Sequence, residues 1–173
     1  VFRWLNKSLS TNCDKIFHNA LYDVGWLRRE GVTLNGKIQD TVIAAPLIDE
    51  NRRQYSLNSL GLDYCKEIKD ETLLTEAAKS YGVDPKAEMY KLPAKFVGEY
   101  AEQDAVLTLK LWDKLKKLLE TQKLEPIYEL ESSLIPLLVE MRWRGVRVDV
   151  NKAEETVDKL KQQEKDCIKQ IRD

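Results

Sequence analysis

A long amphipathic segment, residues 93–121, constrains the fold of this chain more than any other feature. At about 100° per residue, its apolar side chains gather on one arc and its charged side chains on the opposite arc. This pattern predicts a helix with one buried face, beginning near Pro93, a residue that suits a first helical turn. Leu109 is the one apolar residue that does not fit. The predicted buried arc consists of Val97, Ala101, Ala105, Leu107, Leu111, Trp112, Leu115, Leu118 and Leu119.

One carboxylate, Asp104, lies near the middle of this apolar arc, and Tyr100 lies one turn earlier on the same face. An ionised carboxylate on a buried face is costly unless a cation or hydrogen bonds compensate it. The position therefore indicates either a functional site or a buried salt bridge, for which an arginine would be the structural partner.

The composition is that of a soluble globular protein, with 43% hydrophobic and 33% charged residues among 173. This length accommodates one domain, or one domain and part of another. No apolar run approaches the roughly 20 residues that cross a bilayer, so no membrane partner is expected. The net charge of −1 requires any nucleic-acid contact to be local. Three distant cysteines favour free thiols in a reducing cytoplasm, and a single histidine argues against a Cys/His zinc site.

Short strands are predicted at residues 15–18 and 38–41, each followed by a helix, and Asn19 is a candidate cap for the first of these helices. Strand–helix–strand–helix order indicates a parallel α/β sheet. Two short strands make a poor sheet, so we expect further strands upstream of Val1. Further helices are predicted around residues 2–9, 56–62, 71–81, 125–141 with a kink at Pro136, and from a capping box at Asn151 onwards.

A second carboxylate, Asp23, falls in the first turn of the helix that follows the first strand. Ligands bind at the carboxyl ends of strands in α/β sheets, which favours a functional role. An aspartate is also favourable at a helix N-terminus for purely electrostatic reasons, and Asp23 by itself does not separate the two interpretations.

Taken together, Asn19-x-x-Tyr22-Asp23 and Tyr100-x-x-x-Asp104 resemble the second and third motifs of proofreading 3′–5′ exonucleases, which have four acidic residues and a ribonuclease H-like fold. The surrounding sequence is similar to the exonuclease domain of family A DNA polymerases. The runs that carry this similarity are His18-Asn-Ala-Leu-Tyr-Asp23, Gln39-Asp-Thr-Val-Ile-Ala-Ala-Pro-Leu47, Tyr55-Ser-Leu-Asn-Ser-Leu60 and Tyr100-Ala-Glu-Gln-Asp-Ala-x-x-Thr108.

The segment after residue 122 resembles the start of the polymerase domain, where the thumb begins. Its run is Glu129-Leu-Glu-Ser-Ser-Leu-Ile-Pro-Leu-Leu-Val-Glu-Met141, followed by Gly145-Val-x-Val-Asp149. The resemblance thus implies a partial exonuclease domain at residues 1–122 and a partial polymerase domain at residues 123–173. The fold is expected to be α/β and ribonuclease H-like, mostly helical here because its first strands and the first motif, Asp-x-Glu, lie upstream.

The resemblance also implies a mechanism and a set of site residues. Two divalent ions, Mg²⁺ or Mn²⁺, would be held by four carboxylates. Asp104 would bind the first ion with the upstream Asp and Glu, and Asp23 would serve the second through water. Tyr100 would orient the attacking water as a neutral phenol, and Asn19 would help to place the terminal nucleotide. The intact enzyme would remove a mismatched nucleotide from a single-stranded 3′ end of DNA, and the fragment alone would hydrolyse little.

Two alternatives to this interpretation stay open. A ribonuclease D-like exonuclease shares the motifs but would carry a different helical module after residue 125. An inert scaffold domain of a family A polymerase would lack activity, although such a domain should have lost Asp23, Tyr100 and Asp104. We expect the parent to be a monomer in the cytoplasm of a bacterial or phage-infected cell.

Several other residues receive predictions from their positions in the pattern. His18 is expected to be structural, and Trp112, Trp26 and Tyr22 are expected to lie in the core. Four arginines are candidates for phosphate contacts, although a solvated surface is the favoured interpretation for each. They are Arg28, Arg29, Arg52 and Arg53.

Overall fold

The computed structural model describes residues 2–172, which fall into two compact units that divide between Glu140 and Met141. The domain boundary predicted near residue 122 is based on the resemblance to known sequences and not on the compactness of the structure, so it stays a prediction. Among the described residues, no helix is both long and apolar enough to cross a membrane.

The first unit contains a parallel pair of strands joined by a helix, as the order of elements predicts. Strand β1 (Lys15–Phe17) pairs with β2 (Ile38–Asp40), with Phe17 opposite Asp40, and helix α2 (Ala20–Arg29) connects them. Both strands end one residue earlier than the sequence pattern indicates. Their carboxyl ends lie side by side, so the residues that follow each strand meet at one edge.

The remaining elements are helical. They are α1 (Phe2–Leu9), α3 (Thr41–Ile48), α4 (Leu57–Leu60), a π-helical turn (Gly61–Cys65), α5 (Thr72–Tyr81), a 3₁₀ turn (Met89–Lys91), α6 (Ala94–Gln122), α7 (Glu125–Ser133), α8 (Ile135–Arg144) and α9 (Val150–Arg172). The single helix predicted with a kink at Pro136 is instead two helices. Helix α7 ends before Leu134, and Pro136 lies in the first turn of α8, where a proline is tolerated.

The long helix α6 organises the core of the first unit. Its second half is buried against α3, α4 and α7, and Trp112 stacks at 5.4 Å on Tyr128 of α7. Gly61 permits the close approach of the π-helical turn to α6, because a Cβ atom there would lie 2.8 Å from a methyl carbon of Leu107. The buried residues of this cluster are Ala44, Ala45, Leu57, Leu60, Leu107, Leu111, Trp112, Leu115, Leu119 and Tyr128.

The predicted arc of α6 is correct in its second half and wrong in part of its first half. Ala101 and Ala105 are exposed, because no described element covers the side of the helix on which they lie, whereas Thr108 is buried although the pattern omitted it. The core prediction for Trp112 is confirmed. It is wrong for Tyr22 and Trp26 of α2, which are 53% and 48% exposed and form an edge-to-face pair.

The second unit contains the last helix, whose start differs from the predicted capping box. Helix α9 begins at Val150, one residue before Asn151. The carboxylate of Asp149 accepts a hydrogen bond from the backbone N–H of Lys152 at 3.1 Å. Asp149 therefore caps the first turn by accepting from one of its free backbone N–H groups, since Asp149 precedes the helix and Asn151 already lies inside it.

Candidate functional site

The carboxyl ends of the two strands are held together by one carboxylate, Asp40. It is only 4% exposed and accepts hydrogen bonds from the backbone N–H groups of Asn19 (3.0 Å) and Ala20 (2.7 Å) at the start of α2. It also caps α3 by accepting from the N–H of Val42 at 2.9 Å. One side chain thus fixes where two helices begin.

This arrangement corrects the prediction that Asn19 caps α2. Asn19 occupies the N-cap position, but its backbone is left-handed (φ 75°) and its side chain makes no capping hydrogen bond. Asp40, from the neighbouring strand, supplies the oxygens instead. The Asn19 amide is therefore free of a capping duty, which leaves it available to the role in nucleotide placement that the resemblance implies.

Asp23 lies in the first turn of α2, as predicted. Asp23 is exposed, yet partial desolvation by neighbouring residues raises the pKa of its carboxyl group, and the nearby negative charge of Asp40 raises it further. Among residues 2–172, Asp23 forms no ion pair, so its oxygens are available to a cation. Two neighbouring carboxylates that disfavour each other's charged form are typical of a site where a bound cation would neutralise them. The helix N-terminus also accounts for an aspartate at this position.

Tyr100 and Asp104 face the same side of α6, one turn apart, as the sequence predicts, and a lysine lies between them. The Lys69 ammonium is 2.8 Å from Oδ1 of Asp104 and donates a hydrogen bond of 2.9 Å to the hydroxyl oxygen of Tyr100. It also lies 4.4 Å from the centre of the Tyr100 ring and 3.8 Å from Oε1 of Glu71. The compensating charge for Asp104 is thus a lysine, and not the arginine that the sequence analysis considered.

Lys69 comes from the segment 66–71, which is fastened along α6. The Asp70 N–H donates to Oε1 of Gln103 at 2.9 Å, and Lys110 of α6 pairs with Glu67 at 2.7 Å. The Lys69 side chain is only 8% exposed. Its burial disfavours the ammonium form, but the interactions with the Asp104 carboxylate and the Tyr100 hydroxyl outweigh this effect and raise the pKa of Lys69 above its ordinary value. The ammonium is therefore a permanent charge of this site at neutral pH.

His18 directly follows β1 and is influenced by the charges of both Asp40 and Asp104. Its Nδ1 lies 2.8 Å from Oγ1 of Thr41, which in turn donates to the carbonyl oxygen of Phe17 at 3.1 Å. Burial lowers the pKa of His18, against an opposing influence of Asp40 and Asp104. The hydrogen bond to Thr41 is consistent with the structural role expected for this histidine.

The described residues do not by themselves fit a two-metal centre. No group of three or more His, Cys, Asp or Glu side chains in residues 2–172 is arranged to hold a metal ion. Asp104 is already neutralised by Lys69, and Asp23 interacts electrostatically with Asp40 and not with Asp104. The donor chemistry suits Mg²⁺. The arrangement of the donors does not complete a site.

Sequence reasoning missed Lys69 and Asp40. An aspartate at a junction between strand and helix is a capping signal, so the role of Asp40 could have been predicted. Lys69 had no such signal, because a lysine in a polar loop is usually solvated and its partners on α6, Tyr100 and Asp104, are 31 or more positions away.

Two of the four arginine candidates are held by the protein itself. Arg52 pairs with Asp63 at 2.6 Å and its side chain is only 16% exposed, which contradicts the favoured interpretation of a solvated residue. Arg28 pairs with Glu140 at 2.5 Å. Arg29 stacks over the ring of Trp26 at 5.2 Å. Whether these side chains contact phosphate stays a prediction.

Comparison with known proteins decides the family. The family described as 3′-5′ exonuclease matches residues 1–120. The chain belongs to the 3′–5′ exonuclease domain family of family A DNA polymerases. It is 37% identical over 161 residues to a DNA-directed DNA polymerase of Pseudomonas phage M6, covering 92% of this chain and 24% of that protein. It is 32% identical over 166 residues to DNA polymerase DpoZ of Acinetobacter phage SH-Ab 15497, covering 92% and 27%.

A bacterial relative is more distant. DNA polymerase I of Chloroflexus aurantiacus is 29% identical over 137 residues, covering 78% of this chain and 14% of that protein. The chain thus spans about a quarter of the length of its phage relatives. Membership of the family that the motifs indicated is confirmed.

Proposed function

We propose that this chain is part of a DNA polymerase and forms most of a 3′–5′ exonuclease domain that removes nucleotides from single-stranded 3′ ends of DNA. The observation that carries the proposal is the pair of Tyr100 and Asp104, held side by side on α6 in a chain of this family. We further propose the ribonuclease H-like fold, in which strands from outside this chain extend the parallel pair β1 and β2.

The proposed roles follow from where the side chains lie. Asp104 and Asp23 are the candidate ligands of divalent cations, Mg²⁺ or Mn²⁺, together with carboxylates from outside this chain. Because Lys69 donates to the phenol oxygen of Tyr100, the phenol proton is left to donate to a water molecule, which would orient that water beside the scissile phosphate. Asn19, at the start of α2, is the candidate contact to the terminal nucleotide.

The 173 residues alone are expected to hydrolyse little single-stranded DNA. Only two of the four expected carboxylates are present, and one of them is paired with Lys69. Release of nucleotides from a labelled oligonucleotide in Mg²⁺ measures this directly. Robust release by the purified chain would contradict the proposed division of the site between this chain and an upstream segment.

A second candidate function, an inert scaffold, is favoured by the ion pair that already neutralises Asp104. Retention of Asp23, Tyr100 and Asp104 argues against it, because an inert domain has no need of them. A free-standing ribonuclease D-like enzyme is disfavoured because the similarity to the phage polymerases extends over 92% of the chain. We expect the parent to be a monomer in the cytoplasm of a bacterial or phage-infected cell.

The test is Asp104→Ala in the full-length polymerase. We expect 3′–5′ hydrolysis of single-stranded DNA to be abolished and primer extension to be retained. Asp113→Ala is the matched control, because Asp113 is an exposed aspartate of the same helix, and we expect it to leave both activities unchanged. Hydrolysis that survives Asp104→Ala would overturn the site assignment, and a wild-type polymerase without hydrolysis would establish the scaffold.

A further inference from the structure

The side chains around Lys69 form a cage of the kind that binds cations. Two carboxylates, Asp104 and Glu71, and one phenol oxygen, Tyr100, lie within 4 Å of its Nζ atom. The face of the Tyr100 ring lies against the same ammonium at 4.4 Å. Carboxylate and hydroxyl oxygens are hard ligands that suit Mg²⁺ and Mn²⁺ as well as they suit an ammonium group.

Further contacts hold the side chains of this cage in place. Glu71 is held from behind by the side-chain amide of Asn58, which donates to its Oε1 at 3.4 Å. Oδ1 of Asp104 is buried and accepts no hydrogen bond of regular geometry from the described residues, so the ammonium at 2.8 Å is what compensates it. A lysine side chain that is only 8% exposed is unusual, since lysines are almost never buried unless paired.

Lys69 therefore lies where a cation that neutralises Asp104 has to lie. We propose that Lys69 is a positioning residue of the exonuclease site: its ammonium is the built-in counter-ion that orients Asp104 and Tyr100, and it competes with divalent cations for Asp104. The catalytic importance of this inference rests on the proposed function, but the competition between Lys69 and a divalent cation for Asp104 is a property of this chain alone.

The competition is tested by Mn²⁺ binding to the purified chain, measured from the decrease of the free-ion signal in electron paramagnetic resonance. Lys69→Met removes the charge, keeps the length of the side chain and leaves the carboxylates of Asp104 and Glu71 facing one space. We expect it to bind Mn²⁺ about tenfold more tightly than the wild-type chain, because a positive charge a few ångströms away no longer opposes the ion. A merely structural lysine predicts equal or weaker binding.

Two variants locate the effect. Lys110→Met is the matched control, because it removes another lysine that ties the same segment to α6, through Glu67, and we expect it to leave Mn²⁺ affinity unchanged. The double variant Lys69→Met with Asp104→Asn should lose the gain. If Lys69→Met does not fold by circular dichroism, Lys69→Gln keeps hydrogen-bond donors without the charge and is held to the same expectation.

The outcomes separate this inference from the proposed function. Equal or weaker Mn²⁺ binding by the folded Lys69 variant, or a gain that persists without Asp104, overturns the role of Lys69 whatever the polymerase does. In the full-length polymerase, the Mn²⁺ concentration that half-saturates hydrolysis should fall in Lys69→Met, and an unchanged value overturns it as well. Loss of the proposed function is read independently, from hydrolysis that survives Asp104→Ala.

Discussion

Removal of the Asp40 carboxylate should destabilise the first unit more than any other single truncation of a polar side chain at the strand ends. The carboxylate accepts three backbone hydrogen bonds, from Asn19, Ala20 and Val42, at 2.7 to 3.0 Å. A hydrogen bond to a charged group contributes roughly 1.5–3 kcal/mol. Asn19 is exposed, so its N–H recovers a bond to water, whereas Ala20 is fully buried.

Asp40→Ala should therefore lower the free energy of unfolding by about 4 kcal/mol, against roughly 5–15 kcal/mol for a typical domain. For a chain of this size, that loss corresponds to a decrease in Tm of about 10 °C. Asp40→Asn keeps one acceptor oxygen but points an amide group at the other donors, so we expect it to recover less than half of the loss.

The assay is urea unfolding followed by circular dichroism at neutral pH. Asp14→Ala is the matched control, because Asp14 is an exposed aspartate one residue before β1 that accepts a single bond, from the side chain of Gln39 at 2.9 Å. It should change stability by less than about 0.5 kcal/mol. A loss below about 1 kcal/mol for Asp40→Ala, or an equal loss for Asp14→Ala, would refute the reasoning.

Three further predictions follow from the same unit. Tyr128→Phe removes the hydroxyl that accepts from the Asp40 N–H at 2.9 Å, so urea unfolding should show a loss of about 1–2 kcal/mol. Gly61→Ala should destabilise the chain by about 1–3 kcal/mol in thermal melts, because the added Cβ would lie 2.8 Å from a leucine side chain of α6. Gly98→Ala is the contrasting change: Gly98 lies within α6 and its Cβ would enter open space, so we expect it to stabilise the chain by roughly 0.5–1 kcal/mol. Burial lowers the pKa of His18 in the folded chain, so its contribution to stability is present above the unfolded pKa of about 6.5 and is lost as pH falls below it. His18→Gln should flatten the stability profile below about pH 6.5, and an unchanged slope there would contradict the assignment.

Local patterns in the sequence were sufficient for much of the fold. The parallel pair of strands, the helix between them and the long helix α6 all lie where periodicity and turn residues indicate, within one or two residues at most ends. These features depend on neighbours only a few positions apart, which a sequence displays directly. The end of α5 at Gly82, in the left-handed conformation, is of this kind.

Burial was harder to predict, because it depends on which element covers a face. Helix α2 carries Tyr22 and Trp26 at helical spacing, a pattern typical of a core face, yet both rings are about half exposed. Ala101 and Ala105 show the same limit on α6. An amphipathic pattern gives the direction of a face and not its partner.

The sequence by itself determined the family and the pair of residues that matters most. Tyr100 and Asp104 share a helix face because they are four positions apart, and this motif can be recognised in the sequence without knowledge of the surrounding fold. The tertiary structure decided what that carboxylate meets. Lys69 reaches it from a segment whose path is set by contacts along α6, and no periodicity connects positions so far apart. The compensation of a buried charge depends on distance in space, which only the folded chain fixes.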